Sequence, residues 1–459
     1  MENRILSSAV LASWIAGFHL GSCSARDIED AKLRILDLLV STAAGWKCNH
    51  KYNRMVNSVF FSLGGAPEST VMLDGRKLPA ATAAYLNATY GHGADIDDGH
   101  RSANGHPGVA LIPAVLALAE ARHCGAEAIL EGILVGYETY IRVSNAVQPR
   151  LLQRGFHGTG VIGAVASAAA CAKLLGLDQK QIHNAISLAS VQASGLFEIS
   201  ESGQSAKPVN PANACRTGVE SALLAQQGVQ GPDTPFEGVK GLFKAFAGEA
   251  DPAEITQALG EKLSIGTCYI KRSPACRHTH PSIDAGVELG KRRPARPEDI
   301  RAIDIFTYPN AAFVTGKIAK PENEGEAKFS MRYALAMALQ RGRYSFRELE
   351  EAGHLDQATC ALIDKMTIYT DPAYENKSAN IRGGRVTIHF MDGTEDSCYV
   401  PIPRGELENP LREEDILEKM RSCCDGVLDP ATQDALYSAV MEEPFDLERV
   451  MELTCRLEK

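Results

Sequence analysis

The chain has 459 residues, of which 45% are hydrophobic and 23% are charged, and its formal net charge at pH 7 is −10. This length predicts two or three domains with a sizeable hydrophobic core. The negative charge argues against nucleic acid or an anionic membrane surface as a partner. No apolar run approaches the roughly 20 residues of a membrane span. Because the first residues also lack the apolar core of a signal peptide, we predict a cytoplasmic location.

The first 260 residues are predicted to form a succession of helices. Apolar residues recur at helical spacing from Arg26 to Ala44, with Asp27 near the start and Gly45 after the end. Between residues 159 and 175 almost every side chain is small and apolar, which predicts a central buried helix that others approach closely. Similar patterns predict helices at residues 79–90, 108–123, 126–146, 179–194 and 217–227, and Asp178 is the expected cap of the fourth of these.

The pattern changes near residue 265. Residues 300–308 alternate and are rich in β-forming side chains. Two more such runs, 385–390 and 397–402, flank Asp392-Gly393, a pair typical of a hairpin turn. We also predict a short strand at 366–369 and helices at 330–339, 355–365, 413–423, 431–440 and 447–457.

This order of elements predicts an α+β fold. The last helices are too few to form a core of their own, so we expect them to complete the N-terminal helical domain. The predicted domains are a large helical one (residues 1–265 and 405–459) and a smaller α+β one (residues 266–404).

The most unusual segment carries three carboxylates and two imidazoles within twelve residues, directly before a buried helix: Asp95, Asp97, Asp98, His100 and His106. Interiors exclude unpaired charge, so the segment is either a site or a solvated loop. A helix N-terminus there would favour an anionic ligand. Mixed carboxylate and imidazole ligands also suit divalent metals, but Asp95 and Asp97 would point apart in an extended chain. We therefore favour a metal-free catalytic loop over a metal site or a plain loop.

Two more residues stand out before residue 260. His157 lies between glycines at the start of the small-residue helix, where the helix dipole lowers its pKa and leaves a neutral imidazole able to act as a general base. The alternative is a histidine that only packs there. Lys207 lies in a stretch that Pro208 and Pro211 should hold extended. It is either a clamp for a substrate carboxylate or a surface lysine.

The densest basic segment runs from residue 271 to 281 and contains Lys271, Arg272, Cys276, Arg277, His278 and His280. Such a segment suits a phosphate or a polycarboxylate. We prefer this interpretation to a thiol-imidazole metal site, because no second Cys/His pair at zinc spacing is nearby. Since no nucleotide-binding motif or nucleophile elbow is present either, we predict chemistry without a cofactor or a metal.

The ordered set of motifs resembles the MmgE/PrpD family, which includes 2-methylcitrate dehydratase, cis-aconitate decarboxylase and iminodisuccinate epimerase. The matching motifs are Asp95-Ile96-Asp97-Asp98, His106-Pro107-Gly108, Gly136-Tyr137-Glu138, Gly155-Phe156-His157, Lys207 and Lys271…Cys276…His280. The resemblance implies a helical domain completed by the C-terminal tail, an α+β lid and a homodimer. It also implies small di- or tricarboxylate substrates handled without metal or cofactor. The positions that match the family's active site are Asp95, His106, His157, Lys207, Lys271 and His280.

The chain departs from the cis-aconitate decarboxylases of this family at three positions. Gly99 stands where a threonine is expected, Cys276 replaces a histidine, and Phe313 replaces a tyrosine. The loss of a hydroxyl and an imidazole would alter substrate hydrogen bonding and proton delivery. These departures argue against cis-aconitate decarboxylase activity in particular.

The resulting hypothesis is a cofactor-independent lyase that transfers a proton at a carbon next to a carboxylate. Lys207 and Lys271 would hold the carboxylates and stabilise the developing charge. His106 or His157 would move the proton, and Asp95 would orient an imidazole. The other predicted substrate-binding residues are Tyr137, Arg272, Cys276 and His280.

Two other functions stay open. An epimerase or racemase of an amino- or imino-dicarboxylate would use the same carbanion-like intermediate, with Tyr137 or Cys276 as its second acid/base group. A dimeric protein that binds carboxylates without turnover would keep the pocket but not the chemistry.

Overall fold

The computed structural model describes residues 6–201, 206–376, 381–442 and 444–455. The chain divides into two compact units, Met1–Tyr269 with Cys424–Lys459, and Ile270–Cys423. The first unit is built almost wholly from helices, and the second combines helices with a four-stranded sheet. The predicted α+β class with a large helical part is therefore confirmed. The domain boundaries at 265 and 405 stay predictions.

Long helices build the first unit. Most begin and end within three residues of the prediction, but the helix expected at 217–227 already starts at Val209, and His50–Leu63 was not predicted. The bounds of the longer helices are Ser7–Gly17, Ala25–Cys48, His50–Leu63, Ala80–Gly91, Pro107–Arg122, Ala126–Val147, Gly158–Leu174, Gln179–Gln192, Val209–Gln226, Pro430–Met441 and Leu447–Thr454. Shorter elements are helices at Arg150–Gln153, Glu198–Glu201 and Ala253–Thr256, and a two-residue ladder of Ser69–Thr70 with Lys77–Leu78.

Local capping explains where several helices begin. Ser24 precedes Ala25–Cys48 and accepts a hydrogen bond from the backbone N–H of Asp27, while the Asp27 carboxylate accepts one from Ser24. Asp178 and Gln181 form the same reciprocal pair before the helix Gln179–Gln192. Each box satisfies backbone N–H groups that a helix start leaves without partners. The expected role of Asp178 as a cap is confirmed.

The small-residue helix Gly158–Leu174 lies at the centre of the first unit. All of its residues except Lys173 are buried, and it packs against Val209–Gln226 and Ala126–Val147. The contact with Val209–Gln226 is so close that a Cβ added to Gly218 would come within 2.2 Å of the Ser167 hydroxyl. The prediction of a central buried helix is confirmed, and its small side chains account for the close approach.

The second unit is built around a mixed sheet. Its strand order is Met366–Thr370, Ile300–Thr307, Gly384–Phe390, Glu395–Val400. The first pair is parallel and the other two are antiparallel. Parallel neighbours need a crossover, and the chain between residues 307 and 366 supplies it with helices. The predicted hairpin at Asp392-Gly393 is confirmed, with Gly393 at a φ of +87°.

Helices complete the second unit. The longest is His280–Arg292, which was not predicted because the basic run before it hid the start of its apolar spacing. The others are Pro309–Thr315, Glu324–Ala327, Met331–Arg341, Phe346–Glu350, Gln357–Ile363 and Glu413–Cys424. None of the helices in the described ranges of either unit has both the length and the hydropathy to span a membrane.

Candidate functional site

Two predicted site histidines stand at equivalent places, each immediately before a buried helix. His106 is the N-cap residue of Pro107–Arg122, and His157 is the N-cap residue of Gly158–Leu174. Neither side chain caps its own helix. Both imidazoles are therefore free to face other groups, and they lie around a third imidazole. The ring centre of His92 is 4.9 Å from that of His106 and 6.5 Å from that of His157.

The acidic loop is not extended, which corrects the expectation that Asp95 and Asp97 point apart. Asp95 has a φ of +56°, in the left-handed region. This turn brings both carboxylates to His106. An oxygen of Asp95 lies 3.8 Å from His106 Nε2, and an oxygen of Asp97 lies 3.3 Å from His106 Nδ1.

Asp97 links two imidazoles. His92 Nδ1 lies 2.9 and 3.0 Å from the two carboxylate oxygens of Asp97. His106 Nδ1 lies 2.7 Å from the backbone carbonyl oxygen of Asp98. Because these oxygens can only accept, both Nδ1 atoms carry the proton, and a neutral ring then has its lone pair on Nε2. Burial alone would raise the pKa of Asp97, but the imidazoles of His92 and His106 hold it well below 3.8.

Lys207 joins the same group of side chains. Its ammonium nitrogen lies 3.2 Å from a carboxylate oxygen of Asp95. Lys207 lies in a turn, as predicted from its non-helical surroundings. The prediction that the chain is extended as far as Pro211 is wrong. Pro208 is the N-cap residue of Val209–Gln226, and Pro211 lies in its first turn. Proline is tolerated there because the first helical N–H groups have no partner within the helix.

His157 is paired with a residue for which the sequence indicated no role. The amide nitrogen of Asn210 lies 2.9 Å from His157 Nδ1 and 3.4 Å from the carbonyl oxygen of Leu196. The second contact fixes the amide so that it donates, and His157 Nδ1 accepts. Burial, then the neighbouring charge of Lys207, lowers the pKa of His157 well below 6.5. A neutral His157 therefore carries its proton on Nε2 and is a donor there, whereas we expected a general base.

Asp98, Tyr137 and Gly108 form the buried support of the loop. Asp98 accepts a hydrogen bond from the Tyr137 hydroxyl at 2.7 Å and from the Gly108 backbone N–H at 3.0 Å. A Cβ on Gly108 would approach these two side chains to 2.7 and 2.8 Å, so this position requires glycine. Burial raises the pKa of Asp98 to about 6 and raises that of Tyr137 well above 10. Tyr137 is wholly buried, so it supports the loop through Asp98.

His100 does not join the three imidazoles. Its Nε2 lies 2.9 Å from the Thr267 hydroxyl, and its Nδ1 accepts from the Ala103 backbone N–H at 3.1 Å. Both ring nitrogens are thus occupied, one by Thr267 and one by the loop backbone. Of the five residues considered for a metal, Asp95, Asp97 and His106 come together, whereas Asp98 and His100 face elsewhere.

The set that could hold a cation is His92, Asp95, Asp97 and His106. One potential ligand atom from each lies within 4.8 Å of the others. A cation would compete with groups already in place, since Lys207 pairs with Asp95 and Asp97 accepts from His92. The charge of Asp95 is therefore already balanced in part by Lys207, and Asp97 already accepts a hydrogen bond from His92.

The second unit holds the predicted residues of the basic segment. Lys271 is buried, with 2% of its surface exposed. Arg272 forms an ion pair with Glu418 at 3.1 Å. His280 is also buried, and its Nδ1 accepts from Arg277 at 2.8 Å while its Nε2 lies 3.3 Å from the carbonyl oxygen of Ala275. Both nitrogens of His280 are occupied, so His280 holds Arg277 in place. Cys276 is partly exposed.

The positions that depart from the decarboxylases have distinct surroundings. A Cβ on Gly99 would come within 2.3 Å of the Tyr269 hydroxyl, so the Tyr269 phenol fills the space of a side chain there. In the second unit, Phe313 is 66% exposed and lies under the ammonium group of Lys317. Tyr308, five residues before Phe313, carries a phenol, and its hydroxyl lies 2.5 Å from His278 Nδ1.

Sequence reasoning missed His92 and Asn210. His92 directly follows the helix Ala80–Gly91, five residues before Asp97, and Asn210 follows Lys207 by three residues. Each is a polar residue next to a predicted site residue, and that proximity was the signal available. Only the fold shows that His92 donates a hydrogen bond to Asp97 and that Asn210 donates one to His157.

Comparison with known proteins agrees with the motifs. The MmgE/PrpD N-terminal domain matches residues 9–255, and the MmgE/PrpD C-terminal domain matches residues 273–443. The chain is 27% identical to the cis-aconitate decarboxylase of Homo sapiens over 465 residues, which cover 97% of this chain and 93% of that protein.

Two further relatives carry different activities in their names. The cis-aconitate decarboxylase of Aspergillus terreus is 26% identical over 474 residues, covering 98% of this chain and 95% of that protein. The 2-methylcitrate dehydratase of Escherichia coli is 25% identical over 285 residues, covering 59% and 58%. Since the two domain matches together span most of the sequence, the chain belongs to the MmgE/PrpD family.

Proposed function

We propose that this chain, a lyase of the MmgE/PrpD family, acts on a small di- or tricarboxylate by proton transfer at a carbon next to a carboxylate. The observation that supports this most is that Nδ1 of His106 and Nδ1 of His157 have unlike hydrogen-bond partners. In a neutral His106 the lone pair is on Nε2, because Nδ1 donates to a backbone carbonyl. His157 has its proton on Nε2, because Nδ1 accepts from Asn210. One imidazole is thus set to accept a proton and the other to donate one.

A dehydration uses both roles. His106 Nε2 takes the proton from the carbon next to the carboxylate, and the electron pair of that C–H bond forms the new double bond. The hydroxyl on the neighbouring carbon receives the Nε2 proton of the neutral His157 and leaves as water. Before the next turnover His157 regains a proton from solvent, and His106 releases the proton that it took. The Lys207 ammonium binds a substrate carboxylate and stabilises the charge that develops on it.

A decarboxylation uses the donor alone. The bond to the departing carboxylate breaks, CO₂ leaves, and the electron pair remains on carbon until His157 delivers a proton. Asp95 keeps Lys207 in place through their ion pair. Lys271 and His280 stay our predictions for substrate-binding residues of the second unit.

Cofactor independence is also part of the proposal. It is supported by the Lys207 ammonium next to Asp95, which opposes the entry of a second cation. Dialysis against a chelator, followed by metal analysis and assay, tests it. Full activity in metal-free protein is expected, and activity that returns only with added metal would contradict it. The homodimer and the cytoplasmic location are proposals as well, tested by light scattering and by cell fractionation.

The test of function is proton NMR in D₂O with citrate, 2-methylcitrate, cis- and trans-aconitate and iminodisuccinate. We expect loss of water or CO₂ from at least one tricarboxylate. Deuterium uptake by iminodisuccinate alone, without loss of water or CO₂, would favour the epimerase. Thermal stabilisation by these acids without exchange or turnover would favour a binding protein and contradict the lyase.

A further inference from the structure

His92 is a buried imidazole to which the proposed reaction gives no part. It follows the helix Ala80–Gly91 and is 2% exposed. Its Nδ1 donates to both oxygens of Asp97. Its Nε2 is buried and has no hydrogen-bond partner. All of the polar contact that His92 makes is therefore directed at one carboxylate.

His92 donates this hydrogen bond without adding a charge. Burial lowers the pKa of His92 to about 4, against the opposing effect of Asp97. At neutral pH the ring is uncharged, and Asp97 keeps its full negative charge next to a neutral donor. A buried carboxylate without such a donor would favour its protonated form.

The charge on Asp97 also acts on His106. One Asp97 oxygen lies 3.3 Å from His106 Nδ1. The titratable and charged groups around His106 are Asp95 and Asp97 of the loop, His92 at the end of Ala80–Gly91, His157 before Gly158–Leu174, and Lys207 before Val209–Gln226. Asp97 is the carboxylate that faces the protonated nitrogen of His106, so its charge stabilises the imidazolium that forms when Nε2 accepts a proton.

We propose that His92 is a positioning residue, which holds Asp97 as an anion beside His106 Nδ1 and so strengthens His106 Nε2 as a proton acceptor. The effect on catalysis rests on the proposed function; the effect on His106 does not. Asp97 is thus the common partner of the His92 and His106 imidazoles. Only the Nε2 atom of His106 takes part in the proposed reaction. It also gives a reason for a buried histidine whose second nitrogen is unused.

The test compares three variants of the full chain by NMR titration of its labelled histidines, with the His106 signal assigned by its loss in His106→Gln. His92→Phe removes the donor, so the pKa of Asp97 should rise and the His106 titration should move to lower pH. His92→Asn retains an N–H near the position of Nδ1 and should leave the titration where it is in the wild type. Asp97→Asn removes the charge and should move the titration in the same direction, at least as far as His92→Phe does.

Several results would overturn the proposal. They are a His106 titration that stays in place or moves to higher pH in folded His92→Phe, and a His92→Asn protein that moves as far as His92→Phe. A further shift when His92→Phe is added to Asp97→Asn would show that His92 does not act through Asp97. If His92→Phe does not fold, His92→Gln, whose amide lies one carbon further out, replaces it and should show a smaller shift in the same direction.

Kinetics separate this inference from the proposed function. With a turned-over substrate, the acid limb of kcat/KM should move to lower pH in His92→Phe, with a lower plateau and an unchanged KM. A protein that turns over none of the tricarboxylates would refute the proposed function. The NMR titration would still decide the role of His92.

Discussion

At the scale of single residues, hydrogen-bond partners assign opposite tasks to two histidines that look alike in the sequence. His106 and His157 both precede a buried helix, but Asp98 offers a carbonyl to one and Asn210 offers an amide to the other. The sequence predicted both as site residues. It could not assign a donor and an acceptor, because the deciding partner of His157 lies 53 residues away in the chain.

A substitution of Asn210 should change which ring nitrogen of His157 carries the proton. Asn210→Asp replaces the donor with an acceptor, so the proton of a neutral His157 should move to Nδ1 and the pKa of His157 should rise. Nitrogen chemical shifts of labelled histidine report both changes. Asn184→Asp, another buried asparagine of the first unit, serves as the control and should leave His157 unaltered. An unprotonated Nδ1 in Asn210→Asp would contradict the assigned hydrogen bond.

Asp98 should make the stability of the chain depend on pH. Burial raises its pKa to about 6, so the folded state holds a proton that the unfolded state releases near pH 4. The free energy of unfolding should therefore fall, relative to Asp98→Asn, as pH rises from 4 to 6, by on the order of 2 kcal/mol. Denaturant titrations at several pH values measure this difference.

A partly exposed carboxylate provides a control of opposite sign. Asp429 caps the helix Pro430–Met441, and its hydrogen bonds from Thr432 lower its pKa. The stability that Asp429 contributes is lost as pH falls. The free energy of unfolding of the wild type should therefore rise, relative to that of Asp429→Asn, as pH increases from acid. A difference between wild type and Asp98→Asn that is flat between pH 4 and 6 would refute the neutral, buried form of Asp98.

At the scale of elements, the close contact of two helices sets the geometry of the His157 pair. Gly158–Leu174 follows His157, and Val209–Gln226 carries Asn210. Gly218 and Ser167 allow the two helices to touch. The run of small residues predicted the close approach, whereas the early start of the second helix was missed because Pro208 and Pro211 suggested an extended chain.

A methyl group at this contact should separate the helices. In Gly218→Ala the new Cβ would lie 2.4 Å from Ser167 Cβ and 2.7 Å from the Ser167 backbone, which should destabilise the fold by about 1–3 kcal/mol. Gly17→Ala is the control, since a Cβ there meets nothing within 4 Å. Thermal unfolding of both proteins checks the prediction, and equal midpoints would show that the contact is less tight than described.

At the scale of the whole molecule, periodicity and turn chemistry predicted most of the fold, and the long-range partners of site residues were beyond them. The strands at 300–307 and 384–390 follow from alternation and from Asp392-Gly393. His280 was predicted to bind substrate because it matches an active-site position of the family, and this stays a prediction. Its two nitrogens lie against Arg277 and Ala275, and no pattern of residue types along the chain reveals such a pairing.

The central claim is that His106 and His157 of this lyase transfer the proton. The most direct test measures solvent deuterium incorporation by wild type, His106→Gln and His157→Ala, with the exposed His50→Ala as control. The substrate is the tricarboxylate that the wild type turns over. His157→Ala should lose about 10²-fold or more of the rate while it remains folded. His106→Gln should lose as much if the reaction is a dehydration, and His50→Ala should match the wild type. Unaltered exchange in folded His106→Gln and His157→Ala would contradict the account.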